Sequence, residues 1–268
     1  MVSRTVVLVT GGNSGIGYEA VKALLQSSKS HRIILGSRDE AKAQSAIETL
    51  QQECPDSKSS VEALQVDLTN DESIEIAFEK LKTDPGHIDA LVNNAGASFD
   101  SAYTRGKLSL HESFTKSYDV NLAGTHLLTH TFMPLLLKSS DPRLIFVGGL
   151  SRMTEVYPLD AKYFPTPPLK AGWPKTVGFE TIAYRCSKTA LNMLMIDWRH
   201  KLKADGVKVW SVMPGMLATN LGGYGPKMAA DMGAGDPSLG GTLLRSVVEG
   251  ERDVEAGKVI GRDGESAL

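Results

Sequence analysis

Residues 5–17 read Thr5-Val6-Val7-Leu8-Val9-Thr10-Gly11-Gly12-Asn13-Ser14-Gly15-Ile16-Gly17. The first half is a short apolar run of the kind that forms a strand buried on both faces. The glycines end that run, and residues 16–26 resume with helical spacing. Strand, glycine turn and helix together give the glycines a chemical meaning. They let the backbone turn tightly and come close to a pyrophosphate, while the helix N-terminus offers free N–H groups and a partial positive charge. Three glycines alone are weak evidence. Placed between a first strand and a first helix, they predict a dinucleotide site.

Outward from this turn the same alternation repeats. Residues 5–9, 32–35, 61–66, 90–92, 143–147 and 207–212 read as buried strands. Residues 16–26, 40–52, 71–81, 109–137, 184–202 and 240–248 read as helices. This β-α-β-α register predicts an α/β fold: a single Rossmann-like, doubly wound parallel sheet with helices on both faces, one domain spanning residues 1–268. Two long loops interrupt it, both following strands and therefore expected at the carboxyl edge, where ligands bind. Residues 154–181 carry Tyr157, Tyr163, Phe164, Trp173 and Phe179 among several prolines. Residues 220–237 are rich in Gly and Met and include Tyr224, Met228 and Met232. The first is read as an insertion loop and the second as a substrate loop, together walling an apolar pocket.

The chain has 268 residues, a formal net charge of −2 and 41% hydrophobic residues, which suits one large globular core. Without a basic cluster, neither nucleic acid nor an anionic membrane is the expected partner. Its two cysteines, Cys54 and Cys186, form no disulfide or metal pattern, and no apolar run has the length of a membrane span. A reducing, cytoplasmic setting is expected. His126 and His130 stand four apart but have no apparent third ligand, so no metal is expected.

The second strand ends Leu35-Gly36-Ser37-Arg38-Asp39. Small residues stand where an acidic side chain would hold the adenosine ribose, and Arg38 follows. A guanidinium there can pair with a 2′-phosphate, which favours NADP(H). The other reading leaves Arg38 solvated and gives the ribose to Asp39. Further along, Tyr184 and Lys188 share one face at the start of a predicted helix. A free tyrosine, with a pKa of about 10, is a poor proton donor near neutrality. A neighbouring ammonium is expected to stabilise its phenolate, so that it can protonate a carbonyl oxygen as hydride arrives at carbon.

At this point the sequence resembles the short-chain dehydrogenase/reductase family, of the NADP(H) type. The resemblance runs through Thr10–Gly17, Asp67, Asn93-Asn94-Ala95-Gly96, Asn121, Tyr184-Arg185-Cys186-Ser187-Lys188, Pro214-Gly215 and Thr219. It implies that Gly11, Asn13, Ser14, Ile16 and Gly17 line the cofactor phosphates, and that Asp67 and Leu68 meet the adenine. Asn94, Ala95 and Gly96 would lie along the cofactor. Lys188 would also hold the nicotinamide ribose, and Asn121 would support a water in the proton relay. Pro214, Gly215 and Leu217 would border the nicotinamide, with Thr219 on its amide. The 154–181 segment resembles the insertion of the monomeric carbonyl reductases of that family, which leaves monomer and homo-oligomer both open.

One departure stands out. Aligned on Leu144-Ile145-Phe146-Val147-Gly148-Gly149-Leu150-Ser151, the family's substrate-binding serine falls on Gly149. Either Ser151 serves after a local shift, or the hydroxyl donor is missing, or a backbone N–H or another side chain replaces it. Losing such a donor costs about 10²–10³ in rate. The leading expectation is an NADPH-dependent ketoreductase acting on a small-molecule ketone or aldehyde, with Tyr184, Lys188, Asn121 and Ser151 as its catalytic residues. The alternatives are an imine or iminium reductase, a non-redox biosynthetic member of the family, or a cofactor-binding regulator without turnover.

Overall fold

The computed structural model describes residues 4–149, 170–175 and 181–266. β1 (Thr5–Thr10) runs into the glycine turn and α1 (Gly15–Leu25) leaves it. Then follow β2 (His31–Ser37), α2 (Glu40–Glu53), β3 (Ser60–Gln65), α3 (Asp71–Thr83), β4 (Ala90–Asn93) and α4 (Asp100–Thr104). Next come α5 (Leu110–Tyr118), α6 (Thr125–Leu136), β5 (Arg143–Val147) and α7 (Ile182–Lys201). The described chain continues through β6 (Lys208–Val212), α8 (Pro226–Asp231), α9 (Ser238–Val248), β7 (Val259–Gly261) and β8 (Gly264–Ser266).

The eight strands form one sheet in the order β3-β2-β1-β4-β5-β6-β7-β8. All neighbours pair in parallel except β7 and β8. The alternating side chains of β1 divide the core in two. Val6 and Leu8 pack toward Ile74, Phe132, Leu191 and Met195 from α3, α6 and α7. Val7 and Val9 pack toward Val21, Leu24, Leu50 and Val247 from α1, α2 and α9. Helices therefore cover both faces, as the alternation implies. Strand order reverses between β1 and β4, and there the carboxyl ends open a crevice.

The structure corrects the sequence reading in three places. The helix expected over 109–137 is two helices joined by a π-helical segment, Asp119–Gly124. That wide turn carries Asn121 inward and lays Gly124 on the main chain of Leu68, where a Cβ would stand 2.0 Å from the carbonyl oxygen. Apolar periodicity continues on either side of it, so the break leaves no trace in the pattern. The loop 220–237 contains a 3₁₀ turn at Leu221–Gly223 and α8, which has Pro226 in its first turn. Finally, α4, β7 and β8 are three to five residues long, too short for periodicity to register.

Among the described residues no helix is long and apolar enough to cross a membrane. Nor do three or more His, Cys, Asp or Glu side chains among them gather in a way that could hold a metal ion. Of residues 154–181, residues 170–175 and 181 are described, and Trp173 is exposed. Tyr157, Tyr163, Phe164, Phe179 and Ser151 lie outside the described residues.

Candidate active site

The crevice holds a cavity of about 1050 Å³ running from the glycine turn past the carboxyl ends of the strands. Gly11 (φ +64°) and Gly15 (φ +55°) take left-handed conformations that side chains disfavour. A Cβ on Gly17 would stand 2.3 Å from the Gly11 oxygen, so glycine there lets α1 close onto the loop. Ser14 occupies the N-cap of α1 without a side-chain capping bond and lines the cavity with Asn13, Gly15 and Ile16. The positive end of α1 thus faces the cavity. Gly17 does not itself line the cavity but supports the turn.

The loop is locked to β4. The Thr10 hydroxyl accepts from the Asn94 and Ala95 amides, both at 3.0 Å. Asn94 Nδ2 donates to the carbonyls of Thr10 (2.9 Å) and Gly11 (3.3 Å). The amide of Asn94 therefore shapes the turn, while Asn94, Ala95 and Gly96 all border the cavity. Asp67, Leu68, Pro214, Gly215, Leu217 and Thr219 also line it.

At the β2 end, Arg38 is exposed on the cavity rim. Asp39 is engaged as the N-cap of α2: Oδ1 accepts from the Lys42 amide at 3.0 Å, and Oδ2 pairs with Lys42 Nζ at 3.3 Å. Lys42 lines the same rim, four residues and about one helical turn beyond Arg38, and was missed in the sequence reading.

Tyr184 and Lys188 both reach the cavity from the first turns of α7. Lys188 is buried, and its Nζ donates to the Val147 carbonyl at 2.9 Å, at the tip of β5. The ammonium lies 5.8 Å from the centre of the Tyr184 ring. A Cβ on Gly96 would lie 3.2 Å from both Lys188 Nζ and Asn121 Oδ1, so this glycine leaves room for that corner. Burial pushes Tyr184 up to about 12 and pulls Lys188 down to about 8. The tyrosine is raised by burial, where its neighbouring ammonium was expected to lower it.

Asn121 is fully buried and does not line the cavity. Its Oδ1 accepts from the Ala97 amide at 2.8 Å, and Nδ2 donates to the Ala97 carbonyl at 2.8 Å and to Ser187 Oγ at 2.9 Å. Ser187 in turn donates to the Tyr184 carbonyl at 2.7 Å. The side-chain amide of Asn121 braces the loop after β4 against α7. Both of its protons are used for this, leaving one Oδ1 lone pair for any water. A Cβ on Gly149 would stand 3.7 Å from the Tyr184 hydroxyl and 3.0 Å from Lys188 Cγ. Residue 149 thus sits where a side chain would face the tyrosine. Sequence reasoning also missed Asp100, whose buried carboxylate meets the amides of Ala183 and Tyr184.

A doubly wound sheet whose glycine turn and switch-point crevice share one cavity with a tyrosine and a lysine has the architecture of dinucleotide-binding α/β proteins. A family profile described as short chain dehydrogenase matches residues 5–159 and 174–228. The chain is 46% identical over 261 residues to the short-chain dehydrogenase/reductase tropE of Talaromyces stipitatus, covering 97% of this chain and 96% of that one. It is 40% identical over 263 residues to the short-chain dehydrogenase/reductase eupG of a Phoma species, covering 94% and 93%. The crystal structure of NADPH-bound carbonyl reductase from chicken fatty liver shares the fold at a TM-score of 0.74, with 24% identity over 99% of this chain and 100% of that one. The chain belongs to the short-chain dehydrogenase/reductase family.

Proposed function

We propose that the protein is an NADPH-dependent ketoreductase, a carbonyl reductase in which Tyr184 is the general acid toward a small-molecule ketone or aldehyde. One observation carries this reading: Tyr184 and Lys188 meet at one corner of the cavity whose other end is the open N-terminus of α1. The turn from Gly11 to Ile16 would hold the pyrophosphate, and Arg38 with Lys42 the 2′-phosphate. The use of Asp39 Oδ1 as the N-cap acceptor of α2 favours leaving this rim to Arg38 and Lys42, and so supports NADP(H). Asp67 and Leu68 would meet the adenine, and Pro214, Gly215, Leu217 and Thr219 the nicotinamide half. The two free thiols, Cys54 and Cys186, fit a reducing cytoplasmic setting.

When bound, the nicotinamide supplies a hydride. The chain's own residues handle the proton. Tyr184, held as a neutral phenol by burial, is stocked to donate toward the developing alkoxide, which is a stronger base than phenolate. Lys188 is mostly protonated near neutrality and would stabilise the phenolate left behind. The Asn121 amide would act by positioning α7 against Ala97. Coenzyme consumption across ketones, aldehydes and cyclic imines, with NADPH and NADH, tests this reading. Turnover of a carbonyl with NADPH, abolished in Tyr184→Phe, is the expected result. Tight NADPH binding without carbonyl turnover would overturn it.

A second reading is favoured by Gly149, which presents no hydroxyl to the substrate. Reduction of an imine or iminium, or a non-redox step, makes less demand on such a donor. Gly149→Ser separates the two, provided the Lys188 stem yields to a Cβ 3.0 Å away. A large gain on ketones would show that ketones are not the native substrates.

A further inference from the structure

An α-helix begins with N–H groups that have no partner within the helix, and a nearby side chain normally caps them. At the start of α7 the N-cap residue is Thr181, and its side chain makes no capping bond. The acceptor comes from 83 residues earlier in the chain. Asp100 is 1% exposed, and its Oδ1 accepts from the Ala183 amide at 2.9 Å. Its Oδ2 accepts from the Tyr184 amide at 3.1 Å and from the Ser98 hydroxyl at 3.0 Å. A buried carboxylate is thus placed at the positive end of α7, on the main chain of Tyr184 itself. The element carrying Asp100 is anchored on its other side as well. The Ser101 hydroxyl donates to the Gly222 carbonyl, and Arg105 Nη2 donates to the Gly223 carbonyl at 3.4 Å. Gly222 and Gly223 belong to the loop that walls the cavity.

We infer that Asp100 is a positioning residue: it caps α7 from α4 and so sets where the Tyr184 hydroxyl stands over the substrate. The inference rests on reading Tyr184 as the proton donor. Asp100→Asn keeps the shape but removes the charge and offers only one acceptor oxygen to two N–H groups. The expected result is a fall in kcat of about 10–100-fold, with KM and NADPH affinity within roughly threefold of wild type. The alkaline limb of the kcat profile shifts, because releasing the start of α7 changes how deeply the Tyr184 hydroxyl is buried, and burial is what sets its ionisation. Amide exchange read by mass spectrometry shows faster exchange at residues 183–184 in the variant. A variant that loses only melting temperature, keeping its kcat and pH profile, overturns positioning and leaves a structural cap. If Asp100→Asn fails to fold, Ser98→Ala releases one bond to Oδ2 and gives a smaller fall in kcat in the same direction; unchanged kcat and exchange overturn the inference. If the wild type reduces no carbonyl, the reading of Tyr184 fails by itself, and unchanged exchange at 183–184 in Asp100→Asn then overturns the cap.

Discussion

At the residue scale the site turns on one lysine. Lys188 is buried, with a main-chain carbonyl accepting from its ammonium, and burial holds it at about 8 against an ordinary value of about 10.4. Its folded value lies below its unfolded one. Between about pH 8 and 10.4 the unfolded chain therefore holds a proton the folded chain lacks, and this group makes stability rise with pH across that window. If a bound dinucleotide lays its ribose hydroxyl oxygens against the Lys188 ammonium as acceptors, they would draw its value upward. Binding at about pH 8.5 should take up a proton, and affinity should decline as pH rises beyond that. Calorimetry of NADPH binding in two buffers of different ionisation heat reads this directly. The expected heats differ between buffers for wild type and coincide for Lys188→Met. Equal heats for wild type would mean that the dinucleotide does not reach the lysine's proton.

At the element scale the decisive piece is the π-helical segment between α5 and α6. One wide turn changes which side chain faces inward, and here it delivers Asn121 to Ala97 and Ser187. Asn121→Ala would leave the half-buried Ala97 amide and carbonyl without that partner, at up to about 1–3 kcal/mol per group. The expected outcome is a melting temperature lower by roughly 5–10 °C, measured by scanning calorimetry. A change below about 1 °C would mean that water takes over these bonds at little cost. The same scale explains what could and could not be read in advance. Tyr184 and Lys188 were legible because their spacing of one helical turn is local. The π turn was not, because the apolar pattern runs through it uninterrupted.

At the scale of the whole molecule, a charge cluster around the buried Arg143 ties together parts of the chain far apart in sequence. The Arg143 guanidinium at the start of β5 is buried, donates to Asp141 and Asp253, and bonds the Val247 carbonyl at 3.0 Å. Lys208, at the start of β6, pairs with the same two carboxylates. Hydrogen bonding from Arg143, with Lys208 adding to it, holds Asp253 down at about 2. A depressed carboxylate contributes stability that is fully present above about pH 4 and is lost as pH falls through about 2. Asp253→Asn should therefore melt below wild type at neutral pH, and the gap should close as pH approaches 2. A gap that stays constant with pH would assign the loss to packing rather than to charge.

The strand–glycine–helix opening, the β-α alternation, and the pairing of Tyr184 with Lys188 were determined by the sequence alone. Each is a pattern of neighbours along the chain, and periodicity and turn chemistry act at that range. Only the tertiary structure decided that Asp39 is engaged as a helix cap and that burial raises Tyr184 instead of lowering it. It alone brought Asp100 to α7 from 83 residues away. These outcomes depend on which groups meet through space and how much water they lose, and a linear pattern carries neither quantity.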